Sequence, residues 1–200
     1  MAPMPRFSSA LASSFVVVTV ASLAIGCSKD PPPNTSTGVP PAPSAAPSAS
    51  TAALLPLNPG DDAPPLSATA SNGTKIDLAA LKGKTVVVYF YPKDDTPGCT
   101  KEANGFKDQF ADFTKNDIVV IGVSEQDDAS HQAFTQKYEL PFALVADTDG
   151  KIAKAFHVPV NNGYASRMSF LVGKDGKIKK TYPKVDPSAH TAQILADATS

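Results

Sequence analysis

Cys99 is the residue on which chemistry would turn. It ends the stretch Tyr91-Pro92-Lys93-Asp94-Asp95-Thr96-Pro97-Gly98-Cys99. There the chain leaves an apolar run and opens a segment of helical spacing. A cysteine at a helix N-terminus faces unpaired backbone N–H groups and the positive end of the helix dipole. Both favour the thiolate, which is the nucleophile. A lone cysteine can also be no more than a small buried hydrophobe. Thr96, three residues earlier, could cap the helix. Glu102, three residues later, reads equally as a first-turn carboxylate favoured by the dipole or as an aid to the chemistry. His131, His157 and His190 are widely separated and lack metal-ligand spacing, so they are expected to be structural or surface residues, and no metal is expected.

The elements that would position Cys99 follow from periodicity. Thr85–Tyr91 is rich in Val and Tyr and reads as a buried central strand, which Pro92, Pro97 and Gly98 break into a loop. Cys99–Lys115 reads as a helix with Phe106, Phe110 and Phe113 on one side. Before it, 66–70 and 74–76 flank Ser71-Asn72-Gly73, a hairpin signal, and Asp77–Leu81 reads as a short helical turn closed by Gly83. After it come strands at 118–124 and 142–146 and an amphipathic helix at 128–138. A short helix from Lys151, a hairpin around Lys174-Asp175-Gly176 and a closing helix at 188–198 complete the pattern. Strands alternating with helices, then a terminal hairpin and helix, define an α/β domain with a mixed sheet.

The chain has 200 residues and a formal net charge of −1, with no lysine-rich run, so no nucleic-acid partner is expected. Trp is absent, and the two cysteines are Cys27 and Cys99. In an exported protein two cysteines can form one disulfide. Here they fall in different contexts. Arg6 is the only charge before Lys29, and the apolar stretch 11–25 between them reads as a secretory signal, short of the roughly 20 residues needed to span a bilayer. It ends in Leu23-Ala24-Ile25-Gly26-Cys27-Ser28, which resembles a bacterial lipobox, with Leu23 one place further from the cysteine than is usual. That resemblance implies a signal peptide at 1–26, lipidation of Cys27 and attachment to a membrane at the cell envelope, on its periplasmic face. Ser28 after the cysteine would favour the outer membrane. An ordinary cleaved signal with a chance cysteine is the plainer alternative.

Residues 27–58 are rich in Pro, Ala and Ser and bury too little apolar surface to fold, so they read as a disordered or extended tether. About 30 such residues could reach roughly 90 Å. Residues 59–200 form the folded domain.

Tyr89-Phe90-Tyr91-Pro92-Lys93-Asp94-Asp95-Thr96-Pro97-Gly98-Cys99-Thr100-Lys101-Glu102-Ala103 resembles the bacterioferritin comigratory protein, or PrxQ, branch of the peroxiredoxins. Ile121-Gly122-Val123-Ser124, Leu140-Pro141-Phe142 and Arg167 leading into 169–178 agree in order. The resemblance implies a thioredoxin-like fold, with a central mixed β-sheet flanked by helices. It also implies reduction of hydroperoxides by an external thiol, a thioredoxin-like protein or a small thiol, without a cofactor. Carried onto this chain, Cys99 is the peroxidatic cysteine and Arg167 the guanidinium that stabilises its thiolate. Thr96 would hold the peroxide oxygens, and Pro92 would shield the thiolate from water. Thr96 could instead only cap the helix, and Arg167 could be a surface ion pair.

Many members of that branch carry a resolving cysteine five residues after the first. Here that position is Asn104, and no other cysteine lies in the domain. The resemblance therefore implies a one-cysteine peroxidase, and a monomer is expected. A tethered thiol-exchange or partner-binding module on the same scaffold is the alternative. It would be favoured by Cys-x-x-Cys, where this chain has Cys99-Thr100-Lys101-Glu102.

Overall fold

The computed structural model describes residues 56–200. The expected signal peptide at 1–26, the candidate lipidation site Cys27 and nearly all of the expected tether lie outside the described residues. At the centre is a five-stranded mixed sheet. β3 (Thr85–Phe90), β4 (Ile118–Ser124) and β5 (Ala143–Ala146) run parallel, in the order β5-β4-β3. β8 (Met168–Val172) and β9 (Ile178–Tyr182) continue the sheet antiparallel on the other side of β3.

β3 explains why the sheet is covered on both faces. All six of its residues are buried, and alternate side chains serve different cores. Val86, Val88 and Phe90 face one cluster with Ala153 and Phe156, on or beside α4 (Lys151–Ala155). The hairpin of β1 (Ser67–Thr69) and β2 (Lys75–Asp77) joins that layer through Ile76. Val87, Tyr89 and Tyr91 face a second cluster. It holds Cys99, Ala103 and Phe106 of α1 (Pro97–Asp108) and Phe113 of α2 (Phe110–Lys115). Phe134 of α3 (Asp128–Tyr138) and Ile194 of α5 (His190–Thr199) complete it. This three-layer arrangement is the thioredoxin-like architecture.

Local structure refines the expected elements. The helix anticipated over 99–115 begins two residues earlier, at Pro97, and divides at Gln109. There the backbone tightens, with the Gln109 N–H shared between the carbonyls of Gly105 and Lys107, and the side chain donates to Thr191 on α5 at 2.9 Å. The short helical turn expected at 77–81 is a pair of overlapping turns, with Ala80 N–H on Asp77 O and Leu81 N–H on Leu78 O. A small hairpin absent from the sequence reading, β6 (Val160–Asn161) with β7 (Tyr164–Ala165), precedes Arg167. Its turn uses positive φ at Asn162 and Gly163.

Candidate active site

The site lies beyond the C-terminal end of β3, where parallel strands commonly present ligands. Pro97 and Gly98 occupy the first two positions of α1 and Cys99 the third. Cys99 therefore keeps a backbone N–H that has no carbonyl partner within the helix. It is 2% exposed. Arg167 reaches it from the segment between β7 and β8, and Nη2 donates to Cys99 Sγ at 3.1 Å. The alternative of a surface ion pair for Arg167 fails in one respect, since its carboxylate partner is wholly buried: Nη1 donates to Glu102.

Glu102 departs from its expected place. With α1 starting at Pro97 it sits in the second turn, not the first, and faces the core with no exposure. Burial pushes its carboxyl up to about 7, against the opposing charge and hydrogen bond of Arg167. Its second oxygen, Oε1, has no hydrogen-bond partner and stands 3.9 Å from His190 Nε2. His190 is itself buried, with Nε2 on Ser169 Oγ at 2.8 Å. Burial first, and the nearby Arg167 charge second, hold its imidazole down at about 4. The guanidinium is thus gripped between an acidic side chain beneath and the sulfur above. Its own value is raised, because Glu102 and Cys99 outweigh the cost of burial.

Thr96 is the N-cap by backbone conformation, but its side chain makes no cap bond. The hydroxyl instead donates to Lys93 O at 3.0 Å. With its proton committed there, Thr96 Oγ1 presents acceptor capacity only. Pro92 is half-buried in the loop between β3 and α1.

That loop is fastened to α3 by His131, which was expected to be structural or at the surface and is buried, and by Asp94, Asp95 and Ser130, which the sequence did not single out. Asp94, buried, accepts from Tyr91 Oη at 2.8 Å and Ser130 Oγ at 2.6 Å, and pairs with His131 Nδ1 at 2.8 Å. Burial raises its carboxyl, and the bonds from His131, Ser130 and Tyr91 bring it below the ordinary value. Asp95 takes a left-handed conformation, φ +56°, and is tied to Lys137 and Tyr138. The spacing of Ser130 and His131, one turn into a helix that Asp127 caps, was the available signal. Among the described residues no cluster of three His, Cys, Asp or Glu side chains could hold a metal ion.

A thioredoxin-like sheet with a buried cysteine on a helix N-terminus and an arginine on its sulfur defines a thiol-dependent peroxidase. The chain belongs to the AhpC/TSA family, which matches residues 59–181. It is 39% identical over 143 residues to peroxiredoxin Bcp of Bacillus subtilis, covering 68% of this chain and 91% of that one. The bacterioferritin comigratory protein of Xanthomonas campestris, solved in a study of its alkyl peroxide reduction activity, superposes with a TM-score of 0.63 at 33% identity, over 67% of this chain and 90% of that chain. A yeast mitochondrial 1-Cys peroxiredoxin, described as resolved through glutathione/thioredoxin systems, gives a TM-score of 0.62 at 25% identity, over 70% and 73%.

Proposed function

We propose that this chain is a one-cysteine peroxiredoxin in which Cys99 is the peroxidatic residue, held by lipidated Cys27 at the cell envelope. The observation that carries the catalytic part is the 3.1 Å contact of Arg167 Nη2 with Cys99 Sγ at the start of α1. A hydroperoxide donates its O–H to Thr96 Oγ1, whose own proton is on Lys93 O, and its oxygens accept from Arg167. The thiolate attacks the terminal oxygen. The S–O bond forms as the O–O bond breaks, sulfur is oxidised to sulfenic acid, and the departing alkoxide or hydroxide takes a proton to leave as alcohol or water. Pro92 and the aromatic wall of Tyr89 and Tyr91 keep bulk water from the sulfur.

Asn104 stands where a resolving cysteine would, half-buried on α1. The sulfenic acid is therefore met by an external thiol, a thioredoxin-like protein or a small thiol. That thiol forms a mixed disulfide with Cys99 and releases water, and a second thiol then frees Cys99. The domain acts as a monomer. That reading is supported by the described surface, whose exposed large hydrophobics are Val160 and Tyr164. The tether at 27–58 holds it away from the periplasmic face of the membrane, the outer one given Ser28.

Mass spectrometry of the mature protein, before and after one equivalent of peroxide, tests both parts. The expected masses are a chain beginning at lipid-bearing Cys27 and one added oxygen on Cys99. Peroxidase activity surviving in Cys99→Ser would overturn the catalytic assignment, and a mature chain starting elsewhere without lipid would overturn the anchoring.

A further inference from the structure

We propose that Glu125 is a positioning residue for Arg167, acting through the β6–β7 hairpin; this rests on the catalytic reading above. Arg167 follows β7 by two residues, so the placement of its guanidinium depends on where that hairpin sits. The hairpin is a slight structure. Each strand has two residues, Val160 and Tyr164 are exposed, and its base is closed by Ser166 N–H on Pro159 O at 2.8 Å.

Glu125, immediately after β4, crosses to this hairpin from the central sheet. Its Oε2 accepts from Ala165 N–H at 2.6 Å. Ala165 is the residue of β7 whose side chain is buried, and it pairs with Val160 on the hairpin. The bond therefore fixes the end of the hairpin nearest Arg167 to the rigid end of β4. The other oxygen, Oε1, is buried with no partner. Burial, with the charge of Asp147 adding to it, raises the carboxyl above its ordinary value. Glu125 is half-buried, and an acceptor oxygen buried without a partner costs stability rather than adding to it. Its one well-made bond goes to the backbone that delivers the catalytic arginine.

Small displacements in such a chain are costly, since a reacting group misplaced by about 1 Å can lose on the order of a hundredfold in rate. The effect would fall on peroxide attack, which needs the guanidinium aligned with both sulfur and substrate.

The test compares second-order rates of Cys99 in the full chain with hydrogen peroxide and with iodoacetamide, which uses no aligned oxygen. Glu125→Asp keeps the charge but is one methylene too short to reach Ala165 N–H, and Glu125→Gln keeps length and an acceptor oxygen. We expect Glu125→Asp and Glu125→Ala to lower the ratio of the two rates about tenfold, and Glu125→Gln to stay within about threefold of the wild type. In an Arg167→Ala background the Glu125 substitutions should have no further effect on the ratio, because they act through the missing group. An unchanged ratio in Glu125→Asp, or the same loss with and without Arg167, overturns the proposal; if Glu125→Ala does not fold, the Asp and Gln variants decide alone. A wild type whose Cys99 fails to react with peroxide would overturn the catalytic reading and this inference together, whereas a reactive wild type with unaltered Glu125 variants overturns only the inference.

Discussion

The Cβ that Gly98 lacks would stand 3.3 Å from Nη2 of Arg167 and 3.8 Å from Cγ of Pro187. The guanidinium thus packs against the first turn of α1, and a side chain at Gly98 would crowd Nη2, which stands 3.1 Å from Cys99 Sγ. No positive φ is involved, so the glycine serves close approach rather than backbone conformation.

Gly98→Ala should therefore separate stability from activity. Alanine is favoured over glycine in a helix by about 1 kcal/mol, so thermal stability should hold or rise slightly. The added methyl must push against an arginine already tied at Nη1, and the peroxide rate should fall severalfold. Stopped-flow peroxide kinetics alongside a thermal melt would check this; an unchanged rate would mean the guanidinium yields freely.

Glu102 should impose a pH dependence on folding. Its carboxyl sits at about 7 when buried against an ordinary 4.5, so the folded chain holds a proton that the unfolded chain releases between those values. Stability from this group is therefore full below pH 4.5, declines as pH rises to 7 and is level above. Glu102→Gln should remove that decline. Urea unfolding at pH 5 and pH 8 should show a smaller change in the variant than in the wild type. Because Gln holds Arg167 less firmly, the peroxide rate should also drop, by roughly tenfold.

His190 works in the opposite direction. Its imidazole is held down at about 4 against 6.5, so the unfolded chain takes up a proton that the folded chain refuses. Stability is full above pH 6.5 and is lost as pH falls towards 4, by an amount on the order of 3 kcal/mol. His190→Gln can keep a bond to Ser169 without titrating. Its unfolding midpoint should fall less between pH 6.5 and 4.5 than that of the wild type, and an identical acid profile would contradict the assignment.

Asn104 and Cys99 lie on the same helix, α1, five residues apart. At about 1.5 Å rise per residue their Cα atoms are roughly 8–9 Å apart, beyond the ~7 Å that a disulfide tolerates. Asn104→Cys should form an intramolecular disulfide only by unwinding the first turns of α1, with a loss of helical signal on oxidation. It should also improve turnover with a thioredoxin-type reductant and slow over-oxidation to sulfinic acid, since an internal thiol traps the sulfenic acid. The wild type should give no such disulfide. Equal over-oxidation of the two proteins would remove Asn104 as the reason for one-cysteine behaviour.

Sequence alone went far where the physics is local. The Val and Tyr run of β3, the breakers Pro92, Pro97 and Gly98, and the turn signals at Ser71-Asn72-Gly73 and Lys174-Asp175-Gly176 set the order of elements. Period and turn chemistry act between near neighbours, so they can be read along the chain. Cys99 was legible for the same reason, as a cysteine placed where a strand gives way to a helix. Its partner Arg167, 68 residues away, came from the family resemblance and not from local spacing, and nothing in the sequence paired Ala165 with Glu125, 40 residues apart. The roles of Glu102 and His190 turn on burial, which arises only when α1 and α5 close over the sheet. Asp94 and His131 meet because α3 packs beside the loop from β3. Tertiary structure decided these matters because hydrogen bonds and desolvation depend on distance in space, whereas periodicity depends on distance along the chain.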